Sequence, residues 1–285
     1  MINFIKRFLL KKIYKSQYRN GHYYSPIPDL KDVQLRENEI FSDSHDIPGI
    51  DLQVDKQLSL LKEFEGQKLH SLNSTPIPEN LYFSDNGYFN SADAYFLASM
   101  MINKKPKKII EVGSGFSSSL MLDMRQKYFS EALKLTFIEP YPDRLNQILN
   151  GKDIEVEIRQ QFVQDLNIDL FKKLDKNDFL FIDSSHISKV GSDVNHILFN
   201  ILPILKKGVI IHFHDITFPF EYPRQWVYDG IFWNEAYILK SFLMYNDNFK
   251  IELFNSYIYH FHNQWLKSNI PEYNLEGGSI WIEKQ

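Results

Sequence analysis

One stretch constrains this chain more than any other: Lys107-Lys108-Ile109-Ile110-Glu111-Val112-Gly113-Ser114-Gly115-Phe116-Ser117-Ser118-Ser119-Leu120. An apolar run ends on an acid, two glycines follow one residue apart, and small hydroxyl residues then open an amphipathic segment. That order predicts a strand, a tight turn and a helix start. Glycine lacks a Cβ, so Gly113 and Gly115 allow a sharp turn and a close ligand approach, and the first amides of the helix are left as donors. Glu111 narrows the ligand. A carboxylate before the glycines repels a pyrophosphate and suits a cofactor with a cationic amino-acid end.

At these residues the chain resembles the class I S-adenosylmethionine-dependent methyltransferases, whose first motif is an acid followed by Gly-x-Gly and often a third small residue, here Ser117. The resemblance implies that Glu111, Gly113, Gly115, Ser117 and Ser118 surround the donor's amino-acid end. A second apolar strand, Leu133-Lys134-Leu135-Thr136-Phe137-Ile138, closes on Glu139-Pro140. An acid there can accept both hydroxyl hydrogens of a ribose. Ile154-Glu155-Val156-Glu157-Ile158 alternates as a third strand, and the family pattern then assigns Asp165 to the adenine amino group.

The fourth strand, Asp178 to Asp183, leads into Ser184-Ser185-His186, and Gly208 opens a fifth, Val209-Ile210-Ile211-His212-Phe213-His214-Asp215. Between them runs a helix with Val194, Ile197, Leu198 and Ile201 on its apolar face. A helix over 234–245, a sixth strand over 249–254 and a last strand over 279–282 complete the pattern. Helices are also expected over 55–65, 91–103 and 118–128. The predicted fold is α/β: a Rossmann-like, seven-stranded, mainly parallel sheet with an antiparallel C-terminal hairpin whose connection is not helical. A mostly helical extension, residues 1–90, precedes the methyltransferase domain, residues 91–285, and is a candidate lid or acceptor region.

Ligands of open α/β sheets sit beyond the carboxyl ends of the strands, where Asp183, His186, His214 and Asp215 fall. Acids and imidazoles converging there can hold a divalent cation or serve as a general base. His186 is the favoured base and His214 the second choice; His212, on the same strand face as His214, reads as structural. Phe181-Ile182-Asp183-Ser184-Ser185-His186, with Asp193 and then His214-Asp215, looks like the branch of small-molecule and sugar O-methyltransferases that includes metal-dependent macrolide-sugar enzymes. That resemblance implies a magnesium ion held by acids after the fourth and fifth strands. Asp183 and Asp215 map onto two ligand positions, His214 stands at the third, and Asp183 also borders the cofactor. The aromatic loop from Phe218 to Trp226 is a candidate cap for the acceptor.

Composition limits the alternatives. A hydrophobic content of 44% is ample for a packed core, the absence of cysteine excludes thiolate chemistry and disulfides, and a net charge of −4 makes no case for nucleic acid. The first twenty residues depart from this balance, with Lys6, Arg7, Lys11, Lys12, Lys15 and Arg19 and no acid. They form a candidate basic amphipathic helix that could rest on an anionic membrane surface, but they are too short an apolar run to span one. The expected protein is a cytoplasmic methyltransferase that uses S-adenosylmethionine to O-methylate a hydroxyl of a small molecule or saccharide. Assembly into a homo-oligomer is part of what the resemblance implies. Two alternatives remain: an NAD(P)-dependent Rossmann oxidoreductase, since Gly113-Ser114-Gly115-Phe116-Ser117-Ser118 is close to the dinucleotide fingerprint, and a non-catalytic module that only binds S-adenosylmethionine.

Overall fold

Alternation and burial together make the sheet. In β1 (Lys108–Val112), Ile109, Ile110, Glu111 and Val112 are all buried although successive side chains point to opposite faces, so both faces are covered. The computed structural model describes residues 16–42, 46–67, 69, 72–269 and 276–285. Residues 1–15 of the basic amphipathic segment therefore lie outside the described residues. Among the described residues, no helix is long and apolar enough to cross a membrane.

The other strands are β2 (Lys134–Ile138), β3 (Glu157–Arg159), β4 (Phe179–Ile182), β5 (Ile210–His214), β6 (Phe249–Phe254) and β7 (Ser279–Lys284). Their order is β3-β2-β1-β4-β5-β7-β6. The first five strands are parallel, and β7 runs antiparallel between β5 and β6. Val112 is in register with Ile138 on one side and Ile182 on the other, and Ile182 with Phe213. The residues that follow β1, β2, β4 and β5 therefore emerge along one edge, with the change of strand direction order falling between β1 and β4. That is the place where an open α/β sheet takes a ligand.

Two details differ from expectation. The third strand is shorter and later than predicted, because it is an edge strand whose Ile158 is only half-buried. The link from β6 to β7 contains the helical segment Asn255–Asn269, kinked at His262. Its buried residues, Asn255, Ser256, Tyr257, Ile258 and Leu266, mix polar with apolar, so no clean 3.6-residue stripe announces a helix. The C-terminal strands pair antiparallel, yet they are not a tight hairpin.

The chain divides into two compact units. Of the described residues, 16–42 and 223–232 form the first, in which Tyr228 donates its hydroxyl hydrogen to Glu37 at 2.9 Å. Residues 44–222 and 233–285 form the second, so the part of the extension between 44 and 90 belongs with the sheet. Phe218, Phe220 and Tyr222 are buried in that second unit, packed into its core rather than laid over a surface. In it, helix Ser91–Lys104 starts at Asn90, whose side chain accepts from the amides of Ala92 and Asp93. Asp123, buried in helix Phe116–Met124, accepts the amides of Leu81 and Tyr82 at 2.9 Å each and so ties the segment before the sheet to its first helix. Asp123→Ala strands two buried amides and is expected to cost about 2–3 kcal/mol. A lower urea midpoint with an unchanged denaturant slope is the measurement that checks it.

Candidate active site

The glycine turn is built from beneath. Glu111, with no exposed surface, accepts the hydroxyl hydrogens of both Ser117 and Ser118, and Ser118 Oγ in turn accepts the Gly115 amide at 3.0 Å. Burial pushes the Glu111 carboxyl up to about 8, although the two serine hydroxyls pull the other way. Glu111 therefore supports the turn from below, and the hydroxyls of Ser117 and Ser118 are spent on that support, leaving only their main chain for a ligand.

Gly113 has φ +85° and donates its amide to Ile138 O at 2.9 Å. A Cβ there would lie 1.9 Å from the carbonyl oxygen of Asp183, so β1 and β4 approach too closely for any side chain. Gly115, at φ 177°, is extended, and its Cβ position faces the Arg144 side chain at 3.3 Å. After β2, Glu139 accepts the amides of Ser114 at 3.1 Å and Tyr141 at 2.9 Å, which aims its carboxylate across the mouth of the turn.

A cleft of about 280 Å³ opens here, lined by Gly113, Glu139, Phe162, Gln164, Asp183 and Asp193 among others. Gly113, Glu139 and Asp183, all placed by sequence, thus share one crevice, whereas Glu111, Gly115, Ser117 and Ser118 do not line it. Asp165 does not line it: the short 3₁₀ turn Val163–Asp165 leaves Asp165 exposed and presents Val163 and Gln164 instead. Gln164 Nε2 donates to Gly191 O at 3.1 Å, while its Oε1 is buried without a partner, an acceptor suited to an amino group of a ligand.

Beside the cleft, at the ends of β4 and β5, a cluster of acids and imidazoles assembles. His186 has φ +58° and Asp215 φ +55°, left-handed positions that turn both side chains back toward the sheet edge. His186 Nδ1 pairs with Glu235 Oε2 at 2.8 Å, and its Nε2 lies 3.3 Å from Asp183 Oδ1 and 3.6 Å from Asp215 Oδ2. Its ring packs on Trp233 at 4.3 Å. Burial opposes charge on this imidazole, but Asp183 and Glu235 outweigh it, and its pKa is raised well above the usual value. Asp183 and Glu235 thus favour the charged imidazole, which suits a cation between carboxylates and weighs against the general-base role expected from sequence.

Asp183 is held below the usual carboxylate range: burial works against it, yet His186, His214 and Arg144 together prevail. Asp215 is raised, chiefly by burial. His214 packs against Phe89 at 5.2 Å, its Nε2 is 3.7 Å from Asp215 Oδ1 and its Nδ1 has no partner; its pKa is raised because Asp215, Asp183 and Asp93 outweigh the effect of burial. His212 is stacked on Phe181 at 3.9 Å with neither ring nitrogen bonded, and burial drives its pKa far down, a neutral core residue as expected.

Asp183, His186 and Asp215 each offer one ligand atom, all within 4.8 Å of one another. His214 is not in that group, and His186 stands in the position expected for it. Two carboxylates and an imidazole suit a borderline first-row ion better than magnesium. Glu235, which orients His186 and also accepts from Ser184 Oγ at 3.1 Å, escaped sequence reasoning. It lies on helix Glu235–Leu243, far along the chain, with no motif around it.

A family model described as a methyltransferase domain matches residues 110–216, from β1 to just past β5. A protein of Archaeoglobus fulgidus, described only as uncharacterized, is 36% identical over 165 residues, which cover 55% of this chain and 73% of that protein. Among solved structures, the chain is similar to the S-adenosylhomocysteine-bound methyltransferase PaMTH1 of Podospora anserina, with a TM-score of 0.45, 16% identity and coverage of 92% of this chain and 99% of that one. It is also similar to an O-methyltransferase of Bacillus cereus in complex with S-adenosylhomocysteine, with a TM-score of 0.40, 12% identity and coverage of 89% and 97%. The family match coincides with the strands that carry the glycine turn, Glu139 and Asp183, and residues 110–216 form a methyltransferase domain.

Proposed function

We propose that the protein transfers the donor's methyl group to a hydroxyl oxygen of a small molecule or sugar. The observation that carries this reading is the pair of carboxylates, Asp183 and Asp215, brought beside the cleft around the buried ring of His186. Methyl transfer from a sulfonium is an in-line displacement on an activated carbon, so placing the two substrates supplies most of the acceleration. An alcohol makes one further demand, because its proton must leave and its pKa lies far above neutral.

Asp215, raised by burial and flanked by two imidazoles, is the group matched to that demand, and it accepts the hydroxyl hydrogen as the C–O bond forms. His186, fixed by Glu235, keeps the charge of the two carboxylates balanced while the acceptor is bound. A divalent ion held by Asp183, Asp215 and a neutral His186 would replace that charge balance and lower the pKa of a coordinated hydroxyl.

The test is turnover with methyl-labelled S-adenosylmethionine against a panel of catechols, sugars and nucleotide sugars, with amines as the counter-panel, each run before and after chelation. Label on oxygen supports the reading; label on nitrogen or carbon alone overturns it. Asp215→Asn keeps the left-handed backbone, which asparagine tolerates. It is expected to lower kcat about a hundredfold while donor affinity is unchanged, a split that steady-state kinetics and calorimetry resolve.

A further inference from the structure

The geometry points to Arg144 as the group that grips the donor's α-carboxylate, an inference that rests on reading the cleft as the donor site. Arg144 lies on helix Asp143–Leu149, five positions beyond Glu139. Its side chain crosses the glycine turn, with Cδ 3.3 Å and Nη1 3.7 Å from the point a Cβ would occupy on Gly115. The guanidinium carbon sits 3.9 Å from the centre of the Tyr88 ring, and Tyr88 is stacked on Phe116, the first residue of the helix after the turn. This aromatic shelf fixes the plane of the fork without using its N–H groups. Among the described residues the guanidinium makes no ion pair within 4.0 Å and no hydrogen bond, and it acts on Asp183 only through the field.

The charge of the cleft makes that free fork meaningful. Its charged lining residues, Glu139, Asp183 and Asp193, are all acids. They suit the sulfonium, the ammonium and the ribose hydroxyls of the donor, but they repel its carboxylate. Arg144 supplies the missing cation at the turn, where the amino-acid end is expected, and a guanidinium meets a carboxylate in two parallel hydrogen bonds.

S-adenosylmethionine and its decarboxylated form differ only in the group at issue, so titration calorimetry with both, on the wild type, Arg144→Gln and Arg144→Lys, isolates it. The wild type is expected to prefer the intact donor by about tenfold to a hundredfold. R144Q is expected to lose that preference while binding the decarboxylated form within about twofold of the wild type, with R144K between the two. Arg144 is exposed, so the unliganded variants are expected to melt with the wild type. The inference is overturned if the wild type shows no preference, if R144Q retains it, or if R144Q weakens both ligands alike. A wild type that binds neither ligand overturns the donor-site reading itself, a different result from any of these.

Discussion

Gly113→Ala is expected to abolish donor binding and to destabilise the protein by about 4 kcal/mol or more, its Cβ position meeting a shorter contact than that of any other glycine. Two costs combine. The residue sits at φ +85°, where an L side chain carries about 1–2 kcal/mol of strain. Its methyl would also be driven to 1.9 Å from the Asp183 carbonyl oxygen, and that atom cannot swing away as a side chain would. Relief requires prising β4 from β1 at the point where the Asp183 amide donates to Val112 O at 2.8 Å. The same separation opens the floor between the glycine turn and Asp183, which is where the cleft begins. Gly115→Ala is the control, because its φ of 177° suits any residue and its methyl meets only the flexible stem of Arg144. It is expected to change stability by less than about 1 kcal/mol. Urea unfolding and calorimetry with S-adenosylhomocysteine measure both effects. A Gly113→Ala protein of wild-type stability and affinity would show that β1 and β4 do not meet as described.

What could be read from sequence was whatever repeats locally. Hydrophobic runs marked β1, β2, β4 and β5, because a buried parallel strand must be apolar on both faces, and the turn residues Gly113 and Gly208 fell at positive φ where a side chain is penalised. Glu111, Glu139 and Asp183 were legible because each directly follows or ends a strand, so their positions depend only on the sheet. The rest depended on contacts made across the fold. Glu235 reaches His186 from a helix 49 residues away, and together with Asp183 it raises the pKa of the imidazole. The exchange of His214 for His186 in the three-ligand group follows from left-handed backbone at His186 and Asp215, which neither residue type announces. Gln164 displaced Asp165 from the cleft wall because a single 3₁₀ turn rotated one side chain in and the next out. Such rotations are set by local hydrogen bonds, below the resolution of any periodicity argument.

Glu111 separates a role in folding from a role in binding. A buried acid whose pKa is raised from 4.5 to about 8 holds its proton in the folded chain at pH values where the unfolded chain has lost it. The folded state then binds more protons than the unfolded state between those two values, so stability falls as pH rises through that window and levels off above it. The limiting slope is about 1.4 kcal/mol per pH unit, and the whole window is worth up to about 4–5 kcal/mol. Glu111→Gln removes the titration and keeps the shape. Its amide oxygen accepts from one serine and its NH₂ donates to the other. The variant is therefore expected to match the wild type near pH 4.5 and to exceed it by several kcal/mol, about 3 or more, at pH 8.5. Chemical denaturation of both proteins across that range tests this, the difference between them cancelling the other titrating groups. Donor affinity supplies the second half of the argument: if the carboxylate is kept at this energetic cost for the cationic end of the donor, Glu111→Gln gains stability and loses affinity together. A variant that gains stability and binds S-adenosylmethionine as tightly as the wild type would leave Glu111 as a prop for the turn and nothing more.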